Sequence, residues 1–114
     1  MANKIMLVMR NEILKKLELF VQAAYPKFRE HPDKVTICAI ASTQYINYLV
    51  EKGIVLQTER FELFRPSLRI IESQFNLKIP SFVADGLIEM MKEVRTYDYE
   101  IISFFIKKVD NQVK

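Results

Sequence analysis

The chain has 114 residues, one ordinary domain's worth, and enough to bury a single core without disulfides or metal. Half its residues are hydrophobic and about a quarter charged, which excludes a disordered chain; two glycines and four prolines are too few for a sandwich or barrel of many short strands. The net charge is +3 with a pI near 9.0. The excess lies at the N-terminal end, where residues 1–34 hold seven Lys and Arg against four Asp and Glu. A bias of that size is compatible with nucleic acid or an acidic partner, but more often it is ordinary surface charge.

Cys38 is the only cysteine, so no internal disulfide framework exists, and an intracellular, cytoplasmic setting is expected. Five apolar residues before Arg10 are too few for a signal-peptide core, and Val35–Val50 is too short and too polar to span a bilayer. No membrane association is expected.

The first helical segment is expected over about Ile5 to Tyr25. Met6, Met9, Ile13, Leu17, Phe20 and Ala24 recur at steps of three and four, one face of a helix. Arg10 falls on that face, so the helix could begin near Asn11, leaving Ile5 to Met9 as a strand or frayed turn. Pro26 should end or kink the segment.

The second helix, about residues 34–52, is the best defined. Asp33 suits its N-cap, Lys52 its last turn and Gly53 the left-handed position after it. Thr36, Thr43, Asn47 and Glu51 form one narrow polar stripe, and nearly everything else is apolar, which predicts a buried central helix.

The third segment spans about Thr58 to Asn76, with a seam of Phe61, Phe64, Leu68, Ile71 and Phe75. Pro66 inside it predicts a kink, or a second short helix that it opens; Gln57 to Leu63 could be partly extended. After Leu77–Ile79, Pro80 is placed at the first position of a fourth helix, with Val83, Leu87, Met90, Met91 and Val94 inward. Gly86 sits at the edge of that inner face, where close approach of a neighbour would explain it. The fifth segment, about Asp98 to Asp110, reads as a helix with acidic residues first and Lys107 and Lys108 last, although its Tyr, Ile and Phe content also suits a strand. As a helix it turns Tyr99, Ile102, Phe105, Ile106 and Val109 inward. The fold expected is all-α, a single-domain bundle of about five helices around the second.

Catalytic and metal chemistry find little material. One His and one Cys cannot make a zinc site, and the two glycines stand alone, so no phosphate loop or dinucleotide fingerprint exists. A nucleophilic Cys38 activated by His31 is outweighed by Cys38 as a small hydrophobe on a buried helix. Ser67–Asn76 and Pro80–Val94 resemble a helix-turn-helix in outline only. The second helix would face phosphates with Asp85, Glu89 and Glu93 against Lys92, so a plain αα-hairpin is expected. Arg65 and Arg69 share a face and are flanked at i±3 by Glu62 and Glu72, which should neutralise them.

No enzyme, metal, cofactor or small-molecule substrate is therefore expected. The leading expectation is a non-enzymatic protein–protein interaction module, of the adaptor, inhibitor, immunity, antitoxin or assembly-subunit kind, whose partner is another protein or itself. Tyr97 and Phe104, seven residues apart, would share a second stripe beside Lys108 and form the partner-binding residues. The alternative is nucleic-acid binding through Lys15, Lys16, Lys27, Arg29 and Lys34.

Overall fold

The computed structural model describes residues 2–112, with side chains from Arg10 onward. Five α-helices follow in order: α1 Ala2–Phe28, α2 Lys34–Glu51, α3 Phe64–Phe75, α4 Ser81–Glu93 and α5 Tyr99–Gln112. Two 3-10 turns, Gln57–Glu59 and Phe61–Leu63, lead into α3, and no strand occurs among the described residues. The protein is an all-α bundle. Helix α2 packs against each of the other four, and α1 lies along α2, α3 and α5.

Helix α2 is central because its sequence is apolar nearly all round. Cys38, Ala39, Ala41, Tyr45, Ile46 and Leu49 are buried on several sides of it. Gly53 ends it at φ 77°, a left-handed conformation that carries no steric penalty for glycine. Asp33 occupies the N-cap position, but its side chain makes no capping bond. Its backbone N–H instead donates to His31 Nδ1 at 3.0 Å. An aromatic stack ties the long helices together: the Phe20 ring lies 4.5 Å from that of Tyr45 on α2 and 5.5 Å from that of Phe105 on α5.

Several expectations change. The backbone of α1 is helical from Ala2, so neither a start near Asn11 nor an extended Ile5–Met9 is found. The places of Met6 and Met9 on its apolar face lie outside the described side chains. Arg10 is half-buried and sits 3.6 Å from Glu62, an ion pair that explains a cation on that side of the helix. Pro26 does not end α1, which runs on to Phe28. Proline removes only its own N–H, and Pro26 is exposed, where water can satisfy the carbonyl that loses its donor.

Pro66 falls in the first turn of α3, where its missing N–H costs no helical hydrogen bond, so it opens this helix and is not in its interior. The stretch before it is coiled into 3-10 turns and not extended, and Phe61 at the head of the expected seam is 57% exposed while Leu63 is buried. Pro80 caps α4 from outside, one residue before its first turn. Ala84, Leu87 and Met91 form the buried face of α4, so Val83 is displaced outward. Gly86 is exposed with open space around its α-carbon, and no neighbour approaches it. α3 and α4 form the expected αα-hairpin, bridged by Arg65 and Asp85 at 3.1 Å. The glutamates flanking Arg65 and Arg69 are engaged elsewhere: Glu62 with Arg10, and Glu72 as acceptor of the Ile79 N–H at 2.6 Å.

Candidate functional site

The polar stripe of α2 leads to the most developed polar structure in the molecule. Thr43 and Asn47 on it are buried, not solvated. Thr43 closes on its own helix, donating to the Ala39 carbonyl at 2.8 Å. Asn47 cannot do so with all its groups and reaches across the bundle. Its Nδ2 donates to the carbonyls of Val94 at 2.8 Å and Thr96 at 2.9 Å, pinning the non-helical segment that joins α4 to α5.

Its Oδ1 accepts from Arg60 Nε at 2.5 Å. Arg60 is only 5% exposed, and its Nη2 donates to the Val94 carbonyl and, at 3.5 Å, to that of Met91. The guanidinium thus lies at the C-terminal end of α4, where unpaired carbonyls and the helix dipole favour a cation. The rings of Phe61 and Phe64 both lie against its flank, at 5.4 and 5.1 Å. All its hydrogen-bond partners are neutral. Burial, and then the charge of Arg95, holds the Arg60 guanidinium below its ordinary pKa.

This network floors a cleft of about 600 Å³. Val50 and Glu51 of α2, Phe61 before α3, Lys92 of α4, and Arg95, Tyr97 and Tyr99 around the α4–α5 link are among the residues of its walls. The Tyr97 hydroxyl donates to the Glu51 carboxylate, and that bond above all raises the phenol's pKa. The Tyr97 ring meets Tyr48 edge-on at 5.5 Å.

The second feature is the outer face of α5. Ile102, Phe105, Ile106 and Val109 point into the core as the periodicity requires, while Tyr99 at the head of the arc is 48% exposed. Ile101 and Phe104 are 55% and 57% exposed. The Lys108 ammonium lies 4.8 Å from the centre of the Phe104 ring, one turn along the helix.

The three residues expected to share a partner-binding stripe are therefore divided. Phe104 and Lys108 are brought together, and Tyr97 is not. α5 begins at Tyr99, so Tyr97 lies on the non-helical link, where helical spacing does not apply, and it turns to the cleft.

The five cations of the nucleic-acid alternative are spread out. Lys15 and Lys27 lie twelve residues apart on α1, roughly 18 Å along its axis. Lys15 pairs with Glu18 at 3.8 Å and Arg29 with Glu30 at 3.7 Å, Lys16 and Lys34 are half-buried, and Lys27 is exposed. Cys38 and His31 are separated in environment: the thiol is buried and pushed up to about 12 by that burial, while the imidazole is on the exposed α1–α2 turn.

Sequence reading missed Arg60 and the cleft. The available signal was Asn47, an amide in the middle of a helix too apolar to expose any face. Among the described residues, no His, Cys, Asp and Glu cluster could hold a metal ion, and no helix is long and apolar enough to cross a membrane. Comparison with protein-family models, curated proteins and solved structures finds no match to this chain.

Proposed function

We propose that this chain is a non-enzymatic protein–protein interaction module, that its contact surface is the outer face of α5, and that its partner is a second copy of the chain. The observation that carries the reading is Phe104, an aromatic more than half exposed with a lysine held over its ring. Its neighbour Phe105 is 1% exposed, so the core is complete without it.

The face is self-complementary. Glu100, Ile101, Phe104, Lys107 and Lys108 form one stripe along α5, all exposed. A twofold axis through Phe104 pairs it with its own copy and runs the two helices antiparallel. Glu100 then meets Lys108, and Ile101 meets the aliphatic stem of Lys107. The same patch serves both subunits, as a closed dimer requires. One helix-to-helix seam covers less than the ~800 Å² per partner of a standard interface, so the dimer is reversible and concentration-dependent. The buried free thiol of Cys38 fits a reducing, cytoplasmic setting.

Sedimentation equilibrium over a concentration series tests this. Glu100→Lys and Lys108→Glu should each weaken the dimer, and the two together should restore it. A monomer at every concentration, or a double variant no better than the singles, refutes self-pairing. Pull-down with and without nuclease then separates the other readings: a nuclease-resistant foreign protein lost on Phe104→Ala keeps the α5 surface. Nuclease-sensitive capture lost on Lys15→Glu/Lys16→Glu returns the nucleic-acid alternative.

A further inference from the structure

We propose that the cleft between the end of α2 and the α4–α5 link binds a small organic anion, a phosphate or carboxylate carried on a planar ring. The inference is independent of the α5 dimer. The cleft's volume of about 600 Å³ falls within the range of roughly 300–1,000 Å³ typical of small-molecule sites.

Its charges are unbalanced. Arg60, Lys92 and Arg95 line it against one carboxylate, Glu51, which already accepts the Tyr97 hydroxyl. Lys92 has Glu89 at 3.1 Å. Among the described residues, neither Arg60 nor Arg95 has a carboxylate within ion-pair distance.

A buried cation ordinarily takes an anionic partner, because charge in a low dielectric is costly. Arg60 is buried among neutral oxygens and feels the positive charge of Arg95 as well. An anion between the two guanidinium groups relieves that repulsion and gains charge-assisted hydrogen bonds.

The walls also supply a place for a flat ring. Phe61 and Tyr99 line the cleft and are 57% and 48% exposed. Arg60 and Lys92 both lie against the Phe61 ring, at 5.4 and 5.9 Å. Cations beside exposed aromatics hold an acid group and stack a planar body at once.

The test is an NMR titration of the isotope-labelled full chain with phenyl phosphate and with benzoate, up to about 10 mM, where even a weak millimolar site is mostly filled. At least one should shift the amides of Thr96, Tyr97 and Tyr99 saturably, and which one does identifies the acid group. Phenol and inorganic phosphate, the ring and the charge apart, should bind at least about tenfold more weakly.

Arg95→Gln, at an exposed position with no ion pair to lose, should keep the fold and weaken binding by about tenfold or more. Absence of saturable shifts with both acids overturns the proposal. So does Arg95→Gln binding as tightly as the parent, or phenol or inorganic phosphate binding as tightly as the acid that fills the site.

Discussion

If the buried Asn47–Arg60 pair holds the α4–α5 link in place, the two side chains must be strongly coupled in stability. Arg60→Met keeps most of the aliphatic stem and removes the guanidinium. It leaves Asn47 Oδ1 without its donor, in a residue 7% exposed. An orphaned buried acceptor costs about 1–3 kcal/mol, and relief from burying a charge gives part of that back. The expected loss is about 2 kcal/mol. Asn47→Leu does more harm. It strands the buried Arg60 Nε and also removes the Nδ2 donor from the carbonyls of Val94 and Thr96, for an expected loss of about 3 kcal/mol. The double variant has no half-made pair, so it should cost clearly less than the sum, with a coupling of about 1–3 kcal/mol. Urea titration followed by circular dichroism measures all three. Hydrogen exchange at Asp98, whose N–H donates to Gln44 Oε1 at 2.8 Å, reports whether the link loosens before the bundle unfolds. Single losses that add to within about 0.5 kcal/mol would refute the reasoning, because independent sites behave that way.

Three further outcomes follow from single residues. Phe104 is less than half covered, so of the ~200 Å² of a phenylalanine only about 85 Å² is lost to water on folding. Phe104→Ala should therefore cost at most about 2 kcal/mol in a thermal melt, against about 3–5 kcal/mol for Phe105→Ala, while abolishing dimerisation in sedimentation. Equal losses at the two positions would place Phe104 in the core. Gly86→Ala meets open space in the middle of α4 and should raise stability by about 0.5–1 kcal/mol, read as a higher melting temperature; a loss would mean that the close packing expected from sequence exists after all. Burial raises the Cys38 thiol from 9.0 to about 12, so the fold keeps a proton that the unfolded chain releases. Stability from this group is fully present below pH 9.0 and is lost as pH rises toward 12, and a thiol reagent at neutral pH should react only as fast as the bundle opens.

What sequence determined by itself is the set of helices and most of their inward faces. Burial repeats locally along a helix, so Leu17, Phe20 and Ala24, or Ile102, Phe105, Ile106 and Val109, are readable from spacing alone. Gly53 marked the end of α2 because its left-handed backbone is a local requirement. Pro66 and Pro80 fell within a turn of their helix starts for the same kind of reason.

Partner choice was decided only by the tertiary structure. Asn47 read only as one member of a narrow polar stripe until the link after α4 arrived, with Val94 and Thr96 from 47 and 49 residues away, to take its hydrogen bonds. Arg60 was one cation among many until packing buried it beside those same carbonyls, and Arg65 chose Asp85 over its neighbours because α4 lies across α3. Tyr97 left the stripe of Phe104 because α5 begins only at Tyr99, which places Tyr97 in the cleft instead. Spacing along a chain fixes which side of a helix a residue occupies; which distant group comes to meet that side depends on how the helices pack, and that is not written in any local pattern.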